Sequence, residues 1–353
     1  MAFSEAETAA MTQALQLARR GVRGANPLVG AVILAPSGEV LATGYHRGAG
    51  TPHAEAAALA SAAAAGADVR GATMVNTLEP CNHTGRTGPC SQAILRSGIA
   101  RVAYAAADTN DAAAGGAATL AAGGVDVEGG LRGDESRELN HRWAAAAAAH
   151  RPFVTVKTAQ TLDGRTAAAD GTSQWITSAE ARSDAQGLRL RVDAIVAGTG
   201  TIRADDPQLT ARNPDGSRTE KQPLRVVMGR TPVSSGARVR GTDGRFVQIP
   251  THDPAVVLAE LYGRGVRHLM VEGGGTVAGA FLRAGLADEL LAYTAPALLG
   301  AGTTAFAGLG IASMAHIQRW RWDSAGGGAA VPVGPDLRLH LEPLPDFVNE
   351  PKD

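Results

Sequence analysis

The chain has 353 residues, of which 44% are hydrophobic and 19% charged, with a formal net charge of −1. That length and composition allow two globular domains with ample core. The near-neutral balance, the scattered Lys and Arg and an aromatic content of 4% argue against a large electrostatic footprint for duplex nucleic acid and against a base-stacking platform, so no nucleic-acid partner is expected.

The first segment, MAFSEAETAAMTQALQLARRG, carries acidic residues and no uninterrupted apolar stretch. It reads as an amphipathic helix, with Met11, Leu15, Ala18 and Val22 at helical spacing, rather than as a signal peptide. No stretch approaches the roughly 20 apolar residues of a membrane span. The expectation is a cytoplasmic protein with no membrane partner. LVGAVILAP and EVLATGYH follow as two strands of a hairpin, and HAEAAALASAAAAG as a helix that ends at Gly66. GATMVNTLEP is a strand, CSQAILRSG a helix, ARVAYAAAD a strand, AATLAAGG a short helix, VDVEGG a strand and DESRELNHRWAAAAAAH a closing helix.

A seam falls near Arg151-Pro152. Beyond it, FVTVKTAQTLDG, VDAIVAG, LRVVMG, RFVQIP, RHLMVEGGG and DELLAYTAPALLG read as strands. PAVVLAELYGRG and TVAGAFLRAG read as helices, residues 230–245 as loop-rich, and AGGGAAVPVGP as loop or compositional bias. Strands alternating with helices imply layered α/β architecture in both halves. The expected domains are 1–150 and 151–345.

The two cysteines of the chain lie together in EPCNHTGRTGPC, with eight residues between Cys81 and Cys90. A disulfide across the loop is one reading. In a reducing compartment, paired thiolates awaiting a metal are the other. His53 opens the alanine-rich helix, and Glu55 follows two residues later. Pro89-Cys90 opens the next helix, where a thiolate gains from the N-terminal partial charge. One imidazole and two thiolates make three ligands for Zn2+ and leave a fourth position open, the composition of a catalytic site. Zinc lowers the pKa of its water to roughly 7, and a carboxylate that is not a ligand, Glu55, is placed to move protons. H-x-E followed by P-C-x-x-C is the zinc-deaminase pattern; here the second half is stretched to P-C-x8-C. Taken singly, His53 reads equally as a cap or surface group, and the cysteines as inert buried thiols.

NPLVGAVI, HAEAAAL and TLEPCNHTGRTGPC resemble the deaminase half of the bifunctional riboflavin-biosynthesis deaminase/reductase family. The resemblance continues through KTAQTLDGRTAAADGTSQWITS, ADDPQLTAR and VEGGGTVAGAFLRAGLADELLAYTAP, so it covers nearly the whole chain. It implies a cytidine-deaminase-like three-layer α/β/α domain followed by a dihydrofolate-reductase-like α/β domain. It further implies zinc on His53, Cys81 and Cys90, Glu55 as the catalytic proton shuttle, and Asn26, His46, His83 and Arg86 facing a pyrimidine ribosyl phosphate. Arg86 between Gly85 and Thr87 suits a phosphate. Asn26 is equally a turn residue before Pro27, and His46 and Arg86 are open to a solvated surface role.

In the second half GTGTIR, residues 198–203, is an imperfect dinucleotide fingerprint. VEGGGTVAGAFL ends a strand in three glycines and starts a helix at Thr276, which makes an anion site or else a bare tight turn. The resemblance implies NADPH contacts at Trp175, Thr201, Asp205 and the run Gly274, Gly275, Thr276, Val277, Ala278, Gly279 and Ala280. It implies substrate contacts at Lys157, Ser173, Leu209, Arg212 and Glu272; Asp163 lies in the same matching stretch as Lys157. Trp175 reads equally as a core anchor, and Asp205 or Asp206 as a cap. The chain departs from the family at Gly229-Arg230, where a serine often helps the cofactor, which leaves Arg230 without a settled role. The resemblance also implies a homo-oligomer, a dimer or larger. The rival readings are a zinc deaminase of a nucleoside or tRNA base with an unrelated C-terminal module, and a non-catalytic zinc module.

Overall fold

The computed structural model describes residues 3–21, 26–48, 50–82, 88–108, 114–213, 215–323 and 329–344. The chain forms two compact units, Met1–Ala148 and Ala149–Asp353. Among the described residues no helix is long and apolar enough to cross a membrane.

Unit 1 runs α1 (Glu5–Ala18), β1 (Gly30–Leu34), β2 (Val40–Tyr45), α2 (Ala54–Ala64), β3 (Thr73–Leu78), α3 (Cys90–Ser97), β4 (Arg101–Ala106), α4 (Gly116–Ala122), β5 (Asp126–Gly129) and α5 (Gly133–Ala149). The sheet order is β2-β1-β3-β4-β5, with β1 antiparallel to both neighbours and β3, β4 and β5 parallel. Alternation along β1 sorts the core. Val32 and Leu34 face Met11, Leu15 and Leu139 of α1 and α5, whereas Ala31 and Ile33 face Ala58, Ile94 and Leu120 of α2, α3 and α4. The result is the expected α/β/α sandwich. Completely burying a side chain such as Ile33, Met74 or Ile94 contributes about 1.5–3 kcal/mol. α1 begins with a reciprocal capping box, in which Ser4 Oγ accepts from Glu7 N–H and the Glu7 carboxylate accepts from Ser4 N–H. α2 lies close on β2 because Gly44 has no side chain; a Cβ there would stand 2.4 Å from the Ala54 carbonyl oxygen.

Unit 2 runs β6 (Phe153–Thr161), β7 (Arg165–Ala167), α6 (Ala179–Arg189), β8 (Ala194–Gly198), α7 (Thr199–Asp205), β9 (Leu224–Met228), β10 (Phe246–Ile249), α8 (Pro254–Gly263), β11 (His268–Val271), α9 (Gly275–Arg283), β12 (Glu289–Ala295), β13 (Thr303–Thr304), β14 (Trp320–Trp322), β15 (Ala330–Val333) and β16 (Asp336–Pro343). The main sheet runs β10-β9-β8-β11-β6-β12-β16-β14, with β15 also on β16. The strands from β10 to β12 are parallel, and β16 pairs antiparallel with β12, β14 and β15. Parallel strands covered on both faces read as continuous apolar runs; AIVAG of β8 and HLMV of β11 are buried throughout. One face packs Val257, Leu258 and Leu261 of α8 and Phe281 and Leu282 of α9. On the other face Ala181 and Ala185 of α6 pack against Tyr293.

The sequence reading names no element at β7, α6, β13, β14 or β16, and it differs from the structure in three further places. AGGGAAVPVGP, read as loop, contains β15, held by pairing with β16 although Pro332 cannot donate to a ladder. GTGTIR, the imperfect fingerprint that follows β8, is mostly the short helix α7. α9 starts at Gly275 rather than Thr276, with Gly274 as its extended N-cap residue.

Candidate active sites

In unit 1, β3 runs out at Leu78 and delivers Cys81, while α2 and α3 begin at its side. His53 is the extended N-cap residue of α2 and makes no side-chain cap, so its ring is free to turn inward. His53 Nδ1 lies 3.4 Å from Cys81 Sγ and 3.4 Å from Cys90 Sγ, and the three donor atoms converge within 4.8 Å of one another. Tetrahedral zinc with Zn–S of about 2.3 Å and Zn–N of about 2.0–2.1 Å places N and S roughly 3.5 Å apart, so these residues fit the ion. Both cysteines are free and buried. Cys90 is the first residue of α3, as expected, and its N–H points to Cys81 Sγ at 3.5 Å. The Cys90 thiol and the His53 ring also donate toward Cys81, which pulls its thiol down, while contact with Cys81 and burial push Cys90 up.

Glu55, in the first turn of α2, is 4% exposed. Burial pushes its carboxyl up to about 7. His46 is 2% exposed, with its ring edge-on to His53 at 5.4 Å between centroids. Its Nε2 is 3.0 Å from Asn26 Nδ2 and its Nδ1 is 3.0 Å from the Pro52 carbonyl. Burial, ahead of the nearby His53, pulls the His46 imidazole down toward its neutral form. Glu55, His46 and Asn26 are thus gathered around the cluster of His53, Cys81 and Cys90. His83 and Arg86 lie outside the described residues. Sequence reasoning missed Glu79. Its buried carboxylate accepts from the main-chain N–H of Asp108, Gly115 and Ala117 at 3.1–3.3 Å, tying the ends of the 108–117 stretch to the strand that carries Cys81.

Unit 2 holds a cleft of about 1720 Å³ lined by β6, α6, α7 and α9 and the segments between them. Lys157, Ser173, Trp175, Thr201, Asp205, Leu209, Arg212, Glu272 and the run 274–277 all line it, as does Ala280. Ala278 and Gly279 turn into the core instead, where a Cβ at Gly279 would stand 1.8 Å from the Ala307 carbonyl oxygen. Gly274 faces open space, with only Thr201 Oγ1 at 3.6 Å from a Cβ; an anion can therefore approach the first N–H groups of α9, which have no intrahelical partners. Thr201 Oγ1 accepts from Gly274 N–H at 3.2 Å. Trp175 is 69% exposed, not a core anchor, and the Arg182 guanidinium stands 4.4 Å from its ring centroid. Asp206 is the left-handed C-cap of α7 and accepts from Arg238 N–H at 2.8 Å, which leaves Asp205 toward the cleft. Leu209 keeps its side chain in the core, at 3% exposure. Asp163 is a turn holder, accepting from the Leu299 and Gly300 main chain. Arg230 is exposed at the end of β9 and is not among the cleft residues.

Glu272 is gripped by Arg189, with Nε to Oε2 at 2.9 Å and Nη2 to Oε1 at 2.8 Å, and by Lys157 Nζ at 3.4 Å. Burial alone would raise the Glu272 carboxyl, but the two cations outweigh it and hold the group at about 2. Arg189 Nη1 also donates to the Thr210 carbonyl at 2.9 Å, so one side chain braces Glu272 and the segment carrying Leu209 and Arg212. Sequence reasoning missed Arg189. It ends a helix whose glycine and charges give no clear apolar stripe, and its partner lies 83 residues away.

Residues 4–106 match the cytidine and deoxycytidylate deaminase zinc-binding region, and residues 152–330 the RibD C-terminal domain. The riboflavin biosynthesis protein RibD of Mycobacterium tuberculosis is 44% identical over 323 residues, covering 91% of this chain and 92% of that protein. The Escherichia coli RibD is 38% identical over 94% of this chain and 98% of its own length. The solved structure of Acinetobacter baumannii RibD superposes with a TM-score of 0.85 at 33% identity, covering 96% of this chain and 99% of that one. A Thermotoga maritima diaminohydroxyphosphoribosylaminopyrimidine deaminase/5-amino-6-(5-phosphoribosylamino)uracil reductase gives 0.83 at 30% identity, with the same coverage. The chain belongs to the RibD family, the bifunctional zinc-dependent deaminases and NADPH-dependent reductases of riboflavin biosynthesis.

Proposed function

We propose that residues 1–150 deaminate 2,5-diamino-6-ribosylamino-4(3H)-pyrimidinone 5′-phosphate and that residues 151–345 then reduce its ribosyl group to ribityl. The observation that carries the deaminase reading is the convergence of His53 Nδ1 on both cysteine sulfurs at 3.4 Å, with Glu55 buried at the start of the same helix. Zinc on these three residues supplies a Lewis acid with one open position for water. Glu55, its carboxyl raised to about 7 by burial, would serve as the proton shuttle between water and the departing amino group. Asn26 orients the pyrimidine edge, and His83 and Arg86 meet the ribose phosphate.

NADPH supplies the hydride. The N-terminal amides of α9 hold its pyrophosphate, Trp175 offers an exposed face for stacking, and Thr201 and Asp205 complete the cofactor wall. Ser173 and Arg212 receive the substrate phosphate sugar. The Arg189–Glu272–Lys157 cluster keeps one carboxylate ionised beside the ribose hydroxyls, where it acts as an acceptor only. We place the protein in the cytoplasm as a homo-oligomer, a dimer or larger, which sedimentation at equilibrium tests. The functional test is Glu55→Gln in the whole chain. Zinc content and NADPH-dependent reduction of pre-deaminated substrate stay at wild-type values while ammonia release is lost; surviving ammonia release with zinc retained refutes the shuttle.

A further inference from the structure

Asn140 lies on α5 beside Leu139 of the unit 1 core and is 7% exposed. Its side-chain amide pairs with the main chain of Leu28 on both sides. Leu28 N–H donates to Oδ1 at 2.8 Å, and Nδ2 donates to the Leu28 carbonyl at 2.9 Å. Leu28 precedes β1, so this amide supplies the ladder that the sheet does not supply there. The long helix fixes the main chain two residues after Asn26.

The Asn26 side chain is fixed from its other end. The Pro52 carbonyl oxygen can only accept, so His46 Nδ1 carries the hydrogen of their 3.0 Å contact. His46 Nε2 is then an acceptor and takes its hydrogen bond from Asn26 Nδ2 at 3.0 Å. One Nδ2 hydrogen is then committed to His46, and Asn26 keeps the other together with Oδ1, which accepts from no described residue. The adjoining His46 ring borders His53, so one imidazole links the Asn26 amide to the metal-ligand cluster.

We propose that Asn140 is a positioning residue for deamination. Through the Leu28 main chain it holds the Asn26 amide in place to meet the substrate. The proposal rests on the reading that Asn26 faces the substrate. It adds a remote helix residue to the deaminase site and gives His46 the task of setting the amide orientation.

The test uses full-length Asn140→Leu and Asn140→Asp. The first removes both hydrogen bonds; the second keeps the acceptor for Leu28 N–H and sets a carboxylate against the Leu28 carbonyl. The reductase activity of the same chain on pre-deaminated substrate reports folding, and zinc per chain reports the ligand cluster. The expected result is a deaminase KM raised roughly tenfold or more with kcat within about threefold, as for loss of binding that is uniform between ground and transition states. Zinc and reductase activity stay unchanged, and Asp is milder than Leu. Loss of zinc together with kcat in both variants overturns the proposal, because Asn140 is then a packing residue of the whole site. An unaltered KM in both Asn140 variants, with a raised KM in Asn26→Ala, refutes the positioning alone. An unaltered KM in Asn26→Ala refutes the reading beneath it.

Discussion

Replacing Arg189 by leucine removes two of the charged contacts on Glu272, those at 2.8 and 2.9 Å between side chains each 16% exposed, and leaves Lys157 at 3.4 Å. Breaking a buried pair by deleting one partner costs about 3–5 kcal/mol. The titration of Glu272 gives a similar size, since holding a carboxyl at about 2 instead of 4.5 corresponds to about 3 kcal/mol at 1.36 kcal/mol per unit. In a unit of this length each kcal/mol moves the melting temperature by about 2–4 °C, so Arg189→Leu lowers the transition of unit 2 by roughly 6–20 °C. The sign with pH follows from the depressed value. The stabilisation is present above the ordinary carboxylate pKa of 4.5 and fades as pH falls from there toward 2. The gap between variant and wild type is therefore widest near neutral pH and narrows below about pH 4. Tryptophan fluorescence follows the transition, because Trp175, Trp320 and Trp322 lie in unit 2 and only Trp143 in unit 1. The triple variant Arg189→Leu/Glu272→Gln/Lys157→Met removes all three charges of the cluster and regains much of the loss. A melting temperature within about 2 °C of wild type near neutral pH, or a gap that widens as pH falls, refutes the coupling.

Gly279→Ala and Gly274→Ala separate packing from cofactor approach. A methyl at Gly279 collides with the Ala307 carbonyl oxygen at 1.8 Å, which costs about 1–3 kcal/mol or more and lowers the unit 2 transition. A methyl at Gly274 meets only Thr201 Oγ1 at 3.6 Å, so the transition holds while the KM for NADPH rises; equal melting temperatures in the two variants contradict the assignment. Trp175→Ala raises the KM for NADPH with stability within about 0.5 kcal/mol, since the ring is exposed; an unchanged KM removes Trp175 from the cofactor wall. His340→Gln removes the imidazole shared by the buried Glu289 and Asp323 carboxylates, a loss of about 3–5 kcal/mol read as a lower denaturant midpoint. An unchanged midpoint shows that this buried triad contributes nothing net.

The parts legible in the sequence were those whose cause is local. β1 and β8 announce themselves as short apolar runs, and α2 as an alanine-rich stretch stopped by a glycine. His53, Glu55, Cys81 and Cys90 could be grouped because metal-ligand spacing along a strand–helix unit is a local pattern. The less legible parts depend on partners distant in the chain. α6 and α7 lack a strong apolar stripe. β15 is short and contains Pro332, so tertiary pairing sets it where propensity does not. Arg189 and Asn140 acquire their roles only when folding brings Glu272 and Leu28 against them. Within the local motif, helix position places Cys90 at the start of α3, and only the fold shows that the turn from β3 puts Cys81 Sγ in front of the Cys90 N–H.

Zinc per chain, measured on the freshly purified wild type and on Cys90→Ser, tests the central claim most directly. One zinc in the wild type, none in the variant, and ammonia release lost with reductase activity intact is the predicted result. A metal-free wild type that still deaminates, or a Cys81–Cys90 disulfide in the active protein, contradicts it.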